Sequence, residues 1–327
     1  MRYVDAAGMR VSAIGLGTWQ FGSMEWGYGK DFLEQQAVPI TQRALDLGIN
    51  LLDTAEAYGW GRSERVVGQA IAGRRAEAFV ATKLFPAIPV PAVAERRGRA
   101  SRERLGIDVI DLYQLHWPNP LFPIPTQVEG LRRLRDAGVI RHVGVSNYRL
   151  SKWLEAERAL GAPVVSNQVR YSLVDRRAER DLLPHARAND RIVIAYSPLG
   201  QGLLSARYDA DHPPRNNVRL GNPLFLPDNL ERARGLLDAL RQVAKAHDAT
   251  PSQVALAWVL RRPNVVAIPG ASSVEQVAAN AAAADLDLTD DEDIWLTNES
   301  DAFQPVRGLR VVPRIAAGGF RAKVLRK

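Results

Sequence analysis

Short apolar runs alternate with longer amphipathic stretches along almost the whole chain. The runs are rich in β-branched residues, which is typical of parallel strands that are buried on both faces. Eight such runs predict strands at residues 13–17, 47–53, 79–82, 109–115, 139–145, 164–168, 192–195 and 265–268. Helical periodicity between them predicts helices at residues 34–47, 63–72, 93–105, 125–137, 150–160, 177–188 and 230–246. Capping signals predict two further helix starts, at Thr250 and Thr289.

Alternating βα units over 327 residues fit either a TIM barrel or an open, doubly wound sheet. A doubly wound dinucleotide site would place the pattern G-x-G-x-x-G after a strand. The nearest match, Gly15 and Gly17, has Gln20 at the third position. We therefore predict a single-domain (β/α)8 TIM barrel, α/β in class, over residues 1–300. The one long irregular stretch, residues 200–228, is expected to be a functional lid or a mobile loop.

The formal net charge of +7 arises from a basic C-terminal extension, residues 301–327. No acidic residue follows Asp301, and the rest of the chain carries equal numbers of basic and acidic residues. Seven basic residues lie in the extension: Arg307, Arg310, Arg314, Arg321, Lys323, Arg326 and Lys327. Its only aromatic residues are Phe303 and Phe320, so we expect no nucleic-acid partner. The extension is either a disordered, solvated tail or a lid whose arginines would favour anionic substrates.

The chain contains no cysteine, which excludes disulfides, thiolate catalysis and cysteine-bound metals. Its first residues, MRYVD, lack the apolar segment of a secretory signal. No apolar run reaches the roughly 20 residues that a membrane-spanning helix requires. We therefore expect a cytoplasmic protein without a membrane partner.

Polar residues end most of the predicted strands, where a TIM barrel carries its chemistry. They are Asp53, Lys83, His116, Ser146, Asn147, Gln168, Tyr196 and Ser197. Taken singly, each has an ordinary structural explanation: Lys83 could extend to solvent, and His116 could be a hydrogen-bonded core residue. Polar residues at three consecutive strand ends instead favour a shared site, because buried charges are costly unless they are paired.

These residue types suit reversible reduction of a carbonyl group. Hydride addition places negative charge on the carbonyl oxygen, so an acid must supply a proton. The phenol of Tyr58 holds its proton at neutral pH, and the Lys83 ammonium would lower its pKa toward the working range. Asp53 would keep Lys83 charged and oriented. A neutral His116 could donate a hydrogen bond to the substrate oxygen.

The chain resembles the aldo-keto reductases from about residue 15 to residue 300. The resemblance is carried in order by GLGTW at 15–19, DTAEAYG at 53–59 with SE at 63–64, ATK at 81–83, DLYQLHW at 111–117, GVSN at 144–147, NQ at 167–168, YSPLG at 196–200, and IPG at 268–270 with Asn280. Each segment is short, but their common order is specific. The resemblance implies a TIM barrel, a nicotinamide cofactor across the strand ends, and a catalytic tetrad of Asp53, Tyr58, Lys83 and His116.

The resemblance also implies where the cofactor binds. Ser146, Asn147 and Gln168 would hold the nicotinamide carboxamide, which needs both donors and acceptors. Tyr196 would stack on the nicotinamide ring, and residues 197–202 would follow the pyrophosphate, where glycine permits close approach. The implied cofactor-binding residues are Gly17, Thr18, Trp19, Asp53, Ser146, Asn147, Gln168, Tyr196, Ser197, Pro198, Leu199, Gly200, Gly202, Gly270, Ser272, Gln276 and Asn280.

The sequence departs from the family pattern where NADPH-preferring members carry basic residues after the last strand. Gly270 and Gln276 occupy those positions, with Ser272 and Ser273 between them. Serine hydroxyls and a helix N-terminus can hold a phosphate, but without charge the grip is weaker. The arginines of the long loop, Arg207, Arg215 and Arg219, could reach this site. We expect NADP(H), as in the family, with NAD(H) as the alternative.

The expected substrate is a small carbonyl compound or alcohol. Trp19, Trp26 and Trp117 lie on loops at strand ends and are candidates for pocket walls that suit apolar or ring-shaped compounds. Three other functions stay open: a non-catalytic, nicotinamide-binding regulatory subunit of the potassium-channel type, a metal-dependent enzyme, and an aldolase with a Schiff base on Lys83. A metal site is disfavoured because His116 and Asp53 are the only such ligands at strand ends. An Asp53 partner disfavours the Schiff base because it would keep the Lys83 amine protonated.

Overall fold

The computed structural model describes residues 1–22, 34–214, 219 and 222–306. It begins with an antiparallel hairpin that the sequence analysis did not predict, made of β1 (Tyr3–Ala6) and β2 (Met9–Ser12). The two turn residues, Ala7 and Gly8, have φ angles of 53° and 73°. Left-handed backbone at both central positions matches the twist of a two-residue hairpin, which explains how so short a turn joins these strands.

Eight parallel strands follow, and each pairs with the next strand along the chain. They are β3 (Leu16–Gly17), β4 (Leu51–Asp53), β5 (Phe79–Leu84), β6 (Ile110–Leu115), β7 (Ile140–Ser146), β8 (Ser166–Arg170), β9 (Ile192–Tyr196) and β10 (Val265–Ile268). The first and last strands also meet: the Ala267 amide donates to the Ala13 carbonyl at 2.9 Å, and the Gly15 amide donates to the Ala267 carbonyl at 2.8 Å. The sheet therefore closes, and the predicted (β/α)8 TIM barrel is confirmed.

Helices connect consecutive strands on the outside of the barrel, and two more follow the last strand. They are α1 (Glu34–Asp46), α2 (Arg62–Ala70), α3 (Pro91–Leu105), α4 (Ile124–Asp136), α5 (Leu150–Leu160), α6 (Leu182–Ala188), α7 (Pro227–Arg232), α8 (Arg234–Ala246), α9 (Pro251–Leu260), α10 (Val274–Ala282) and α11 (Asp290–Ala302). Thr250 and Thr289 form the expected capping boxes of α9 and α11. Among the described residues, no helix has both the length and the apolar character needed to cross a membrane.

Two predicted helices differ from the structure. The helix predicted at 177–188 is a 3-10 turn followed by α6, because Asp181 adopts a φ of −145°, which is not helical. The helix predicted at 230–246 begins earlier, at Pro227, whose ring favours the first helical position, and it is interrupted at Ala233. Both differences lie on the outer layer of the barrel and leave the strand ends in place.

The barrel has an inner and an outer apolar layer because side chains alternate along each strand. Leu51, Ala81 and Leu112 lie in the inner layer, together with Met9 and Val11 of the hairpin. The hairpin therefore seals the amino-terminal end of the barrel. Counting two residues onward from each inner side chain places polar residues at the carboxyl end of the same strands, which is where the candidate site lies.

Candidate active site

A buried ion pair joins the ends of β4 and β5. The Lys83 Nζ lies 2.6 Å from Asp53 Oδ1, and both side chains are almost completely buried. The alternation of side chains along a strand explains the contact, because residues two apart point to the same face. Asp53 is two residues beyond Leu51, and Lys83 is two residues beyond Ala81. Both side chains therefore point into the barrel at the same level, as the sequence analysis expected.

Further hydrogen bonds complete the surroundings of this ion pair. The Lys83 ammonium donates to the Thr54 carbonyl at 2.8 Å and to the Tyr58 hydroxyl at 3.3 Å. The second carboxylate oxygen of Asp53 accepts from Gln168 Nε2 at 2.7 Å. All three ammonium protons thus have acceptors, which is what a buried charge requires. Gln168, expected to bind cofactor, is also a direct partner of the ion pair.

The segment that carries Tyr58 is held by buried hydroxyl groups. Ser63 donates to the Thr18 carbonyl at 3.0 Å and accepts from the Thr54 hydroxyl at 2.8 Å. The Thr18 hydroxyl donates to the Asp53 carbonyl at 2.9 Å. Gly59 has a φ of 57°, and a Cβ there would lie 2.8 Å from the Gly22 carbonyl oxygen. The turn after Tyr58 therefore requires glycine.

Two glutamates, the partly buried Glu56 and the buried Glu64, anchor the same segment to the helix layer. Glu56 accepts from the Phe85 amide and forms an ion pair with Arg97, at 2.8 Å. Glu64, at the start of α2, accepts from Arg104 Nε at 2.6 Å. Burial raises the pKa of Glu56, while the Phe85 amide and Arg97 oppose that rise. These contacts fix the backbone on both sides of Tyr58 and thus the direction of its side chain.

The phenol of Tyr58 has an elevated pKa. Burial is the larger cause, the Lys83 charge lowers the pKa, and the Asp53 charge raises it again. The lowering by Lys83 that was expected from the sequence is present, but the loss of solvent around the phenol outweighs it. Burial lowers the pKa of Lys83, but Asp53 and Tyr58 outweigh it, so that this pKa is raised and the ammonium keeps its charge.

His116 follows β6 and faces Tyr58. The two ring centroids are 5.8 Å apart and the rings are nearly perpendicular, at 78°. Burial, with a smaller contribution from the Lys83 charge, lowers the pKa of His116 to about 3. The imidazole is therefore neutral at physiological pH and carries a single N–H proton. The four expected catalytic residues thus converge on one place at the rim of the barrel.

A continuous row of aromatic rings borders this place. Trp19 lies 6.5 Å from Tyr58, and Trp117 lies 4.6 Å from His116, between ring centroids. Phe85, which the sequence analysis did not consider, packs edge-on against Trp117 at 5.0 Å. Trp19 and Trp117 remain 40% and 38% exposed, so their faces are available to a bound molecule. The third expected wall residue, Trp26, lies outside the described residues.

The residues expected to bind a carboxamide cluster at the ends of β7, β8 and β9. Ser146 Oγ donates to the Gln168 carbonyl at 2.9 Å, and Asn147 Nδ2 donates to Ser146 Oγ at 3.0 Å. Tyr196 donates from its hydroxyl to Asn147 Oδ1 at 3.0 Å. Asn147 has a φ of 62°, a left-handed conformation that turns its amide toward the open end of the barrel.

The loop after β9 contains several left-handed residues. Ser197, Gly200, Gln201 and Gly202 have φ angles of 49°, 56°, 57° and 101°. Three consecutive left-handed residues turn the backbone sharply, and the amides of Gly200 and Gly202 donate to the carbonyls of Ser197 and Leu199, both at 2.9 Å. The remaining expected contacts in this loop, Pro198 and Leu199, are buried and half-buried. Arg219 donates from Nε to the Gln201 carbonyl at 3.0 Å, so one of the three loop arginines considered above packs on this segment.

The segment after β10 leads into α10. Ser273 caps the helix by accepting from the Gln276 amide, and Gln276 Oε1 accepts from the Ser272 amide at 2.9 Å. Asn280 Nδ2 donates to the Gly270 carbonyl at 3.4 Å. Gln20, unexpected as a site residue, donates to the Ala271 carbonyl at 2.7 Å and thus ties the loop after β3 to this segment. Gly17 is buried at the same seam.

Sequence reasoning missed the residues that support the site from behind. Glu56 and Arg97 are 41 residues apart, and no local pattern marks Gln20. The sequence could have indicated a supporting role for Glu56 and Glu64 alone, because both lie in the short segment that also carries Tyr58.

Comparisons with known proteins identify the family to which the chain belongs. The Aldo/keto reductase family model matches residues 13–296. An uncharacterised oxidoreductase of Mycobacterium tuberculosis is 52% identical over 94% of this chain and 95% of its own length. An NADH-specific methylglyoxal reductase of Escherichia coli is 31% identical over 90% of this chain and 96% of its own. A crystal structure of an aldo/keto reductase from Klebsiella pneumoniae in complex with NADP and acetate has a TM-score of 0.74 and 32% identity, covering 94% of this chain and 96% of that one. The chain is therefore an oxidoreductase that belongs to the aldo/keto reductase family.

Proposed function

We propose that the protein reduces an aldehyde or ketone to an alcohol, reversibly and with NAD(P)H, and that Tyr58 is its acid–base residue. The observation that carries this proposal is the contact of the Tyr58 hydroxyl with the Lys83 ammonium, which is itself paired with Asp53. A phenol beside a positively charged ammonium can release a proton to a developing alkoxide and recover it in the reverse direction.

The residues around the strand ends fit a nicotinamide cofactor. Asn147 and Gln168 offer both donor and acceptor atoms to a carboxamide, and the glycines at 200 and 202 would let a phosphate group approach the backbone of the loop closely. When bound, the cofactor would supply the hydride. The ring of Tyr196, whose hydroxyl bonds Asn147, would line the nicotinamide site.

The protein's own groups then manage the proton and the charge. Like an ordinary phenol, Tyr58 is protonated at neutral pH, so it enters the reduction as an acid. As Tyr58 loses its proton, the Lys83 ammonium stabilises the phenolate, and Asp53 holds the ammonium in position. His116, neutral and facing Tyr58, would donate a hydrogen bond to the same substrate oxygen. The exposed faces of Trp19 and Trp117 would contact the apolar part of the substrate.

We propose NADP(H) as the preferred cofactor, with a weak preference over NAD(H). The NADP complex of the Klebsiella pneumoniae protein supports this proposal. The preference is expected to be weak because the segment at Gly270–Gln276 contains no basic residue, and Glu275 adds a negative charge in the first turn of α10. The E. coli relative that is NADH-specific demonstrates that proteins of similar sequence can use the other cofactor.

The decisive experiment is steady-state reduction of a panel of aldehydes and ketones by the wild-type protein and by Tyr58→Phe. Loss of the general acid should lower kcat by roughly 100- to 10,000-fold. The dissociation constant for NADPH should change little, because the phenol is not among the cofactor-binding residues. Tyr3→Phe is the matched control, since its hydroxyl bonds the Gly48 carbonyl away from the strand-end site. Near-normal turnover by Tyr58→Phe would contradict the proposal.

A further inference from the structure

A second polar group lies inside the barrel and takes no part in the bonds described above. Both amide atoms of Gln114 and the hydroxyl of Ser166 are buried, and none has a hydrogen-bond partner among the described residues. Buried side-chain polar atoms usually have a partner in protein or ordered water. Two unpartnered side chains in one barrel therefore indicate a bound group between them.

Strand register brings these side chains together at Gly144. Gly144 pairs with Gln114 across β6 and β7, and with Ser166 across β7 and β8. A Cβ at Gly144 would lie 2.5 Å from Ser166 Oγ and 2.9 Å from Gln114 Cγ. Since glycine occupies the strand between them, no third side chain separates the Gln114 amide from the Ser166 hydroxyl.

The same place lies directly below the catalytic imidazole. His116 is two residues beyond Gln114, and its amide continues the strand ladder by donating to the Leu84 carbonyl at 3.1 Å. The two side chains therefore project from the same side of the strand. The Nδ1 atom of His116 is buried and also has no partner among the described residues. A buried amide and a buried hydroxyl on neighbouring strands, and a buried imidazole nitrogen two residues further along the first of them, are thus all without a partner among the described residues.

We propose that the space between these side chains holds an internal water molecule that donates a hydrogen bond to His116 Nδ1, with Gln114 and Ser166 as the positioning residues that hold the water. A buried water typically makes about three hydrogen bonds. Gln114 Nε2 can donate to it, Gln114 Oε1 or Ser166 Oγ can accept its second proton, and Nδ1 accepts its first. With Ser166 Oγ as that acceptor, the water satisfies three of the four unpartnered atoms, namely Gln114 Nε2, Ser166 Oγ and His116 Nδ1.

The consequence is a fixed tautomer of His116. A neutral imidazole has one proton, and a donor at Nδ1 requires that proton to reside on Nε2. The Nε2–H group is then the donor available to a substrate oxygen. This inference rests on the proposed function only in giving His116 that task, while the tautomer is a property of the free protein.

The first test reads the tautomer directly. Protein labelled with ¹⁵N in its five histidines should show His116, assigned by a His116→Gln variant, as a single Nε2–H tautomer. In Gln114→Leu the His116 signal should become that of a mixture or of the Nδ1–H form. Tyr113→Phe is the matched control, because it removes a buried hydroxyl from the next residue of β6 on the opposite side of the strand. An unchanged single tautomer in Gln114→Leu would overturn the proposal.

The second test uses kinetics and crystallography. Gln114→Leu and Ser166→Ala should each lower kcat by about three- to tenfold, the effect of one neutral hydrogen bond, with KM for the cofactor unchanged. Ser166→Ala also covers the case in which Gln114→Leu does not fold. A high-resolution structure should contain a water within hydrogen-bonding distance of Gln114 and Ser166, and a dry cluster would overturn the proposal. Because the tautomer and the water are read without turnover, failure here is distinct from failure of the proposed reaction.

Discussion

Replacing Asp53 by asparagine would leave the Lys83 ammonium buried without its counter-charge. The amide keeps the shape of the carboxylate, and its oxygen can still accept from Lys83 or from Gln168. Thr54 and Tyr58 remain as neutral acceptors for the ammonium. The substitution removes the negative charge of Asp53, which raises the pKa of Lys83 and opposes the effect of its burial.

The loss of unfolding free energy caused by Asp53→Asn cannot exceed the free energy needed to deprotonate Lys83. Instead of staying charged, Lys83 can release its proton, which at pH 7 costs about 4.6 kcal/mol from an ordinary pKa of about 10.4. Breaking a buried ion pair typically destabilises a protein by about 3–5 kcal/mol, which is close to that bound. We therefore expect Asp53→Asn to lose about 3 to 4.6 kcal/mol of unfolding free energy at pH 7 and to contain a largely neutral Lys83.

The sign of the pH dependence then distinguishes the variant from the wild type. In the wild type the folded-state pKa of Lys83 is raised, so its contribution is constant up to its unfolded-state pKa and is lost only at higher pH. In Asp53→Asn the folded-state pKa is depressed, and the unfolded state binds more protons. The stability of the variant should therefore rise between pH 7 and pH 9, by up to about 1.4 kcal/mol per pH unit relative to wild type.

Urea unfolding at pH 7, 8 and 9 measures this difference. Asp111→Asn is the control, because Asp111 is an equally buried carboxylate of β6 whose partners are Arg75 and Arg141. Arginine does not lose its proton in this range, so the control should be destabilised without gaining the slope. Parallel pH dependences for Asp53→Asn and wild type would refute the argument that Lys83 depends on Asp53 for its charge.

Three further predictions concern the cofactor, the histidine and the extension. Gln276→Arg should raise the ratio of NADPH to NADH affinity about tenfold, as one charge-assisted hydrogen bond would, and fluorescence titration with both cofactors measures it; an unchanged ratio would place the 2′-phosphate elsewhere. His116, with a pKa of about 3, should show no protonation in an NMR titration between pH 5 and pH 8, and a midpoint near its ordinary value would contradict its buried setting. The lid hypothesis predicts that removal of residues 307–327, which leaves the bond between Val306 and Asn229 intact, raises KM for carboxylate-bearing aldehydes but not for neutral ones; unchanged kinetics would favour a solvated tail.

The fold was predictable because its strands are buried on both faces. Runs such as Val265–Ile268 are apolar throughout and have few structural alternatives. The amino-terminal hairpin was missed because its strands have four residues each and its turn residue Ala7 is an uncommon choice for a left-handed position. The break at Asp181 was missed because apolar spacing continues through it.

The polar residue at each strand end could be predicted from the sequence, but some of the contacts between these residues could not. Asp53, Lys83 and His116 each follow an apolar run, so the barrel geometry alone predicts their proximity. The contact between Gln168 and Asp53 joins residues 115 apart, and its existence depends on the curvature of the closed sheet. The direction of the Tyr58 pKa shift also required the structure, because the loss of solvent around a side chain is not readable from its neighbours in sequence.

The join between the first and last strands has a consequence for synthesis on the ribosome. Gly17 meets Gly270 across this seam, so the ring of strands is completed only after most of the chain has emerged. Until then the nascent sheet has two open edges, at β3 and β9, that can pair with other chains. A premature stop before Val265 should therefore yield an aggregating fragment, and the chain should depend most on chaperones in the stage of translation that precedes synthesis of β10.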